Sequence, residues 1–402
     1  MLELRTGRWG AWAAWAALVV GCAAPGDDEP AATEPSLEGF RQVVPGDGIP
    51  AELPIQDANN NLSIARFDGR LFLAWRTAPS HFASEQTEML VASTTDEVTW
   101  RFEGRFALGR DVREPQLVPT DDGLWFYFAR LGITVVDFEP GGVVRTRYNG
   151  PGDWTEPEPF GPPDLVAWRI DKLSDGRFHL FGYTGGAAEY GTTYEPIEVH
   201  WLASDDGVNW VNGSGADTDV VLSGGGSETS AQLMADGSLV AVVRSEEGDP
   251  DGTGFGSLIC SAPADDLGTW TCAHDDRKYD SPLLLRHGDD LWLIGRRQVE
   301  YDGRFDLGMP RDWAINHLDY LARYSGTPKR CSVWSVDGAT RSVRLAFDLP
   351  SLGDTCFPDA VEDGDDAFLV YNYSNDPDGP EMTWLQGQLS PTHLYRQRLL
   401  VP

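Results

Sequence analysis

Apolar residues in this chain come in short runs separated by acidic and glycine-bearing turns, and one such unit recurs six times. Residues 227–244, SETSAQLMADGSLVAVVR, show it most clearly: a strand, a turn at Asp236-Gly237 and a second strand. The same layout returns in NNLSIARFDGRLFLAWR, REPQLVPTDDGLWFYFAR, WRIDKLSDGRFHLFGY, DSPLLLRHGDDLWLIGR and TCFPDAVEDGDDAFLVYN. Aligning the turns brings Gly69, Gly123, Gly176, Gly237, Asp289 and Asp365 into register. Between the hairpins lie strands of a second type, EMLVASTTDEVTW, EVHWLASDDGVNW and SLICSAPADDLGTW, with CSVWSVDGATRSV as a fainter copy. Repeats of this length built from four strands are the mark of a propeller, in which each blade buries its faces against its neighbours. Six hairpins therefore predict an all-β, six-bladed β-propeller. A pair of β-sandwiches is the alternative, although six in-register copies of one unit are hard to place there. Residues 39–44 offer a strand that would close the ring.

Propeller geometry turns this alignment into chemistry. The innermost strand of a blade runs along the central channel and the second strand returns, so the start of the first and the end of the second share a face. The first position holds Asn60, Glu114, Ala167, Glu228, Asp280 and Cys356; the second holds Arg76, Arg130, Tyr183, Arg244, Arg296 and Asn372. Carboxylates and arginines are thus expected to converge at one channel mouth, where a guanidinium can grip a carboxylate or phosphate through two hydrogen bonds. The competing reading makes Glu114 with Arg130, Glu228 with Arg244 and Asp280 with Arg296 ion pairs that only complete strand ends. His81, in the loop RTAPSHFAS, leaves the first blade at the same face and is a candidate general base or hydrogen-bond donor. Trp75, Trp125, Trp168 and Trp292 are expected to pack between blades rather than to stack on sugars.

The 402 residues, 41% of them hydrophobic, suffice for a substantial core, and the formal charge of −32 excludes phosphate-backbone binding. At the N-terminus, Arg5 and Arg8 precede an apolar stretch at 9–20 that is short for a membrane span. Val19-Val20-Gly21-Cys22 resembles a bacterial lipobox. That resemblance implies a signal peptide at 1–21, lipid on Cys22, and sorting to the outer membrane because Ala23 follows. Residues 22–38, rich in Pro, Ala and acids, read as a disordered tether, leaving 39–402 as the folded body, expected to be a monomer. An exported body permits disulfides among Cys260, Cys272, Cys331 and Cys356. Of the three connectivities, Cys260–Cys272 with Cys331–Cys356 is favoured, since ICSAPADDLGTWTC reads as two adjacent strands. No cofactor or metal site is expected: there is no CxxC, and the seven histidines are scattered. The acid-rich loops at 249–251 and 302–306 offer oxygen ligands for Ca²⁺, but without calcium-loop spacing they read first as solvated turns.

SETSAQLMADGSLVAVVRS resembles the fourth blade of the sialidase superfamily, where a catalytic Glu, a DG turn and a substrate-binding Arg follow one another. The turns ending in Trp, SDDGVNW at 204–210 above all, resemble its Asp boxes, and PSLGDTCFPDAVEDGDDAFLVYNYS resembles its last blade. The resemblance implies that Glu228 polarises the nucleophile, that Arg244 belongs to an arginine triad, and that Arg296 or Arg297 is its second member. The first-blade arginine has no counterpart in NNLSIARF, so Arg76 or Arg113 would have to substitute for it. The position of the nucleophilic tyrosine holds Phe357, while Tyr301, Tyr371 and Tyr373 are displaced from it by spacing. Without that phenol, hydrolysis would need a pair of carboxyl groups drawn from Glu114, Glu228 and Asp280. Two functions remain: a hydrolase of an acidic or polyhydroxylated glycan, or a non-catalytic propeller that binds a glycan or a protein.

Overall fold

A computed structural model describes residues 34–134, 139–186, 191–309 and 311–402. The leader and the lipobox cysteine Cys22 lie outside them. Six antiparallel sheets form six blades, and their inner strands are Ala58–Phe67, Val112–Thr120, Val166–Lys172, Gly226–Leu233, Asp280–His287 and Asp359–Glu362. Each predicted hairpin supplies the two inner strands of one blade. Alternation explains why the second strands are apolar throughout. In Arg70–Ala78, Leu71, Leu73 and Trp75 face the sixth blade while Phe72 and Ala74 face the second, so both sides are buried.

Polar side chains on the inner strands tie neighbouring blades together. Ser63 Oγ accepts the Leu117 N–H at 3.1 Å, Gln116 bonds Ile170 N and Trp168 O, and Ser230 Oγ accepts the Leu284 N–H at 2.9 Å. The turns ending in Trp are built as side-chain-capped loops. Asp206 Oδ1 accepts the N–H groups of Val208 and Asn209 at 2.9 and 2.8 Å, which holds its carboxyl well below the usual range.

The ring closes through Ser36–Val44, which pairs with His393–Leu400 as the outermost strand of the sixth blade. This places the expected closing strand and moves its start to Ser36, so the tether read to residue 38 overlaps the fold. Both expected disulfides form, Cys260–Cys272 across two paired strands and Cys331–Cys356 between the last two blades. They are consistent with an exported protein. Among the described residues no helix is long and apolar enough to cross a membrane.

Two insertions break the repeat. Helix α1, Trp313–Gly326, lies between the second and third strands of the fifth blade, and the short helix α2, Trp384–Gln388, occupies the corresponding place in the sixth. The two helices meet over the channel mouth, where the rings of Tyr324 and Trp384 cross edge to face at 4.8 Å.

Candidate functional site

Where the inner strands begin, the ladder is interrupted in five successive blades. The register slips between Asn60 and Leu62, Arg113 and Gln116, Ala167 and Arg169, Gly226 and Thr229, and Asp280 and Leu283. Asn61, Glu114 and Ser281, within three of these bulges, adopt left-handed backbone with φ of 38°, 51° and 52°. Such bulges re-aim side chains, and here the re-aimed residues line a cavity of about 430 Å³ at the channel mouth. Among the sequence-derived candidates, Glu114, Glu228, Arg113, Arg244, Arg296, His81 and Tyr183 stand on its wall.

Four other candidates stand elsewhere. Arg76 is wholly buried behind the wall: it pairs with Asp111 at 2.9 Å and donates to Asn60 Oδ1 and to the carbonyls of Ser80 and Phe82. Its work is to hold the loop that carries His81. Arg130 turns outward, with Nη2 on the Gly141 carbonyl; its strand partner is Val112 rather than Glu114, because the second blade's hairpin turns between Thr120 and Gly123, one residue earlier than the alignment expects. Arg297 forms a two-pronged pair with Asp348 at the outer side of the blade. Asp280 is 1% exposed and lies behind the wall, 3.3 Å from Arg244 Nε and 4.0 Å from Lys278 Nζ. It is a counter-ion. The expected pairs of Glu114 with Arg130 and Asp280 with Arg296 give way to these contacts, whereas Glu228 does meet Arg244 at 2.7 Å.

One cation organises the floor. Arg244 touches Glu228, Glu246 and Asp280, and these carboxylates hold it firmly protonated against burial. Glu228 Oε2 also accepts the Ser281 N–H at 2.6 Å. Burial pushes the Glu228 carboxyl up, Arg244 opposes this, and the Asp280 charge adds to it. Beside it, Glu114 accepts from Asn61 Nδ2 at 2.8 Å, and burial with the Glu228 charge pushes its carboxyl up to about 7.

A second chain of polar contacts crosses the ring closure. Tyr373 donates to Asp354 Oδ1 at 2.9 Å, and His81 Nδ1 lies 2.6 Å from Asp354 Oδ2. Arg113 Nη1 stands 3.2 Å from His81 Nε2 and its Nε donates to Asp111 at 2.6 Å. A guanidinium only donates, so Nε2 is the acceptor and the His81 proton sits on Nδ1, facing Asp354. Burial lowers the His81 pKa and keeps the ring neutral, the Asp354 charge only partly offsetting it. Burial alone would raise Asp354; its bonds from His81 and Tyr373 and the Arg296 charge hold it low.

Arg296 joins both networks to the inserted helices. It donates to Tyr324 Oη at 2.8 Å and to the Thr355 and Cys356 carbonyls, with Tyr373 Oη 3.3 Å away. Trp168, Phe357, Phe305, Tyr320 and Trp384 complete the wall. Trp168 therefore both packs between blades, with its ring 5.0 Å from Phe357, and faces the cavity; Trp75 and Trp292 are buried in inter-blade clusters as expected. Phe357 brings no oxygen to the site, as its sequence position implies. Tyr324 and Trp384 were not visible in the hairpin repeat, although Asp312 as a helix cap followed by Trp313, Tyr320 and Tyr324 at helical spacing marks the element that carries Tyr324.

In the loops considered for Ca²⁺, Asp306 and Asp251 spend oxygens on internal hydrogen bonds. Asp306 accepts from Phe255 N, Gly308 N and Tyr320 Oη, and Asp251 Oδ1 from Thr253. Among the described residues no cluster of three or more His, Cys, Asp or Glu is arranged to hold a metal ion.

No protein-family model and no curated protein sequence matches the chain. Solved structures do. A protein of unknown function from Dyadobacter fermentans superposes with a TM-score of 0.60 at 15% identity over 92% of this chain and 100% of its own. A Trypanosoma rangeli sialidase mutant displaying trans-sialidase activity gives 0.55 at 14% identity, covering 92% of this chain and 60% of the sialidase. The endosialidase of phage phi92 gives 0.52 at 11%, covering 87% of this chain and 68% of its own. At such identities the likeness establishes the fold: a six-bladed β-propeller whose structural neighbours include sialidases.

Proposed function

We propose that the cavity binds a glycan and hydrolyses a glycosidic bond, with Glu114 as proton donor. The observation that carries this reading is the pairing on one wall of Glu114, half protonated near pH 7, with Glu228, whose two oxygens are held by Arg244 and the Ser281 N–H. Two carboxyl groups in unequal environments are what acid–base cleavage of a glycoside needs. Glu114 gives its proton to the leaving oxygen as the bond to the anomeric carbon breaks. Glu228 stands ready to accept the proton of the attacking water, and Arg244 and Arg296 orient the sugar. The glycan reading also draws support from Trypanosoma rangeli sialidase, a neighbour with the same fold that is seen in complex with sialic acid and with 2,3-difluoro-KDN.

A second reading, binding without turnover, is favoured by one observation: Phe357 fills the last-blade wall with a phenyl ring packed on Trp168 and beneath Arg169. Product release from a panel of fluorogenic glycosides separates the two. The hydrolase reading expects release by the wild type and its loss in Glu114→Gln and Glu228→Gln with the fold retained; binding without release by folded wild-type protein supports the second. We propose further that residues 1–21 are removed, that Cys22 carries lipid, and that the monomeric body is held at the outer membrane by the tether that follows. The sequence pattern at residues 19–22 supports this.

A further inference from the structure

Resting on the glycan reading above, we infer that the cavity selects a neutral, polyhydroxylated sugar and rejects carboxylated ones. Arginines in a pocket ordinarily suggest an anionic ligand, but here each cation already has partners within the protein. Arg244 is held by Glu228, Glu246 and Asp280. Arg113 is held by Asp111 and the His81 carbonyl. Arg296 spends Nε and Nη2 on the Thr355 and Cys356 carbonyls and Nη1 on the Tyr324 phenol, and Lys278 donates to the carbonyls of Ser245 and Phe255.

Charge around the wall is close to balanced. Five acids stand there with four bases, and behind them Asp280 and Asp354 are matched by buried Arg76, Arg169 and Lys329. A ligand carboxylate would find no cation free to receive it and would lie close to Glu228 and Glu246, where like charges repel. The unpaired polar atoms on the wall are uncharged as well as charged. Trp168 Nε1 and Trp384 Nε1 are buried donors without a partner, and Asn61 Oδ1 is a buried acceptor without one. Hydroxyl groups both donate and accept and so satisfy such a mixed set, while the half-buried ring of Trp384 suits the apolar face of a sugar ring.

The test is calorimetric titration of the purified protein with methyl hexopyranosides and the matching methyl hexuronides, which differ only in CH2OH against COO⁻ at C6, with N-acetylneuraminic acid alongside. We expect at least one hexopyranoside to bind about tenfold or more tightly than its uronide and than N-acetylneuraminic acid, and Glu246→Gln to narrow that gap by improving uronide affinity. Tighter binding of a uronide or of N-acetylneuraminic acid overturns the inference and leaves the glycan reading standing. If no sugar of either kind binds, the glycan reading falls and the inference with it.

Discussion

At Glu114, burial and the neighbouring Glu228 charge act in the same direction, and the consequence can be read in two ways. Its carboxyl titrates at about 7 in the folded chain and near 4.5 when free. Between those values the folded state therefore holds a proton that the unfolded state has lost. Its contribution to stability is full below about pH 4.5 and falls as pH rises to 7. The melting temperature should drop from pH 5 to pH 8, less steeply in Glu114→Gln; an unchanged slope would place the ionisation elsewhere. The arginines separate just as sharply. Arg76→Ala should cost about 3–5 kcal/mol in urea denaturation, because Asp111 stays buried with one of its two cations gone. Arg297→Ala, at a partly exposed pair, should cost no more than about 1 kcal/mol. Arg76 closes its hairpin in the sequence repeat, whereas Arg297 stands one residue past Arg296, which closes its own, and so faces the other side of the strand.

Elements decide which side chains reach the cavity, and their legibility was uneven. Hairpins were visible because a strand buried on both faces reads as an unbroken apolar run, as in LFLAW at 71–75, and because an acidic turn follows each first strand. The bulges were not, since one extra residue in a ladder leaves no mark on an apolar pattern. The bulges place Arg113 and Asn61 on the wall, and the earlier turn of the second blade, between Thr120 and Gly123, takes Arg130 away from the mouth. Helices α1 and α2 interrupt the repeat and add the aromatic wall that strand counting omits. Helix α2 is held by a reciprocal cap in which Thr383 accepts the Gln386 N–H and Gln386 returns to the Thr383 N–H. Thr383→Ala should cost about 1 kcal/mol and weaken sugar binding through Trp384, in the first turn of that helix; calorimetry on folded protein checks this, and unchanged affinity would remove Trp384 from the ligand's reach.

For the whole molecule, closure matters more than any one contact. Ser36–Val44 completes the sixth blade, and the inner strands of the first and sixth blades are joined by the Ile64 N–H on Asp359 at 2.8 Å. Removing residues 34–44 should lower the melting temperature by several degrees and expose Leu394 and Leu399 at a raw sheet edge, so that light scattering rises on mild heating; a truncated protein that melts like the full chain would mean that the closing strand is dispensable. Cys22→Ser should move the protein from the membrane fraction to the soluble one, and retention in the membrane would count against lipid at that position. The central claim is that this closed ring holds a glycan at its mouth and cleaves it by way of Glu114. The most direct measurement is product release from neutral fluorogenic glycosides by wild-type protein and Glu114→Gln side by side, each shown to be folded. The account predicts release by the wild type, reduced about 100-fold or more in the variant while affinity for methyl hexopyranosides is kept; equal rates in the two proteins, or silence from the wild type across the panel, would contradict it.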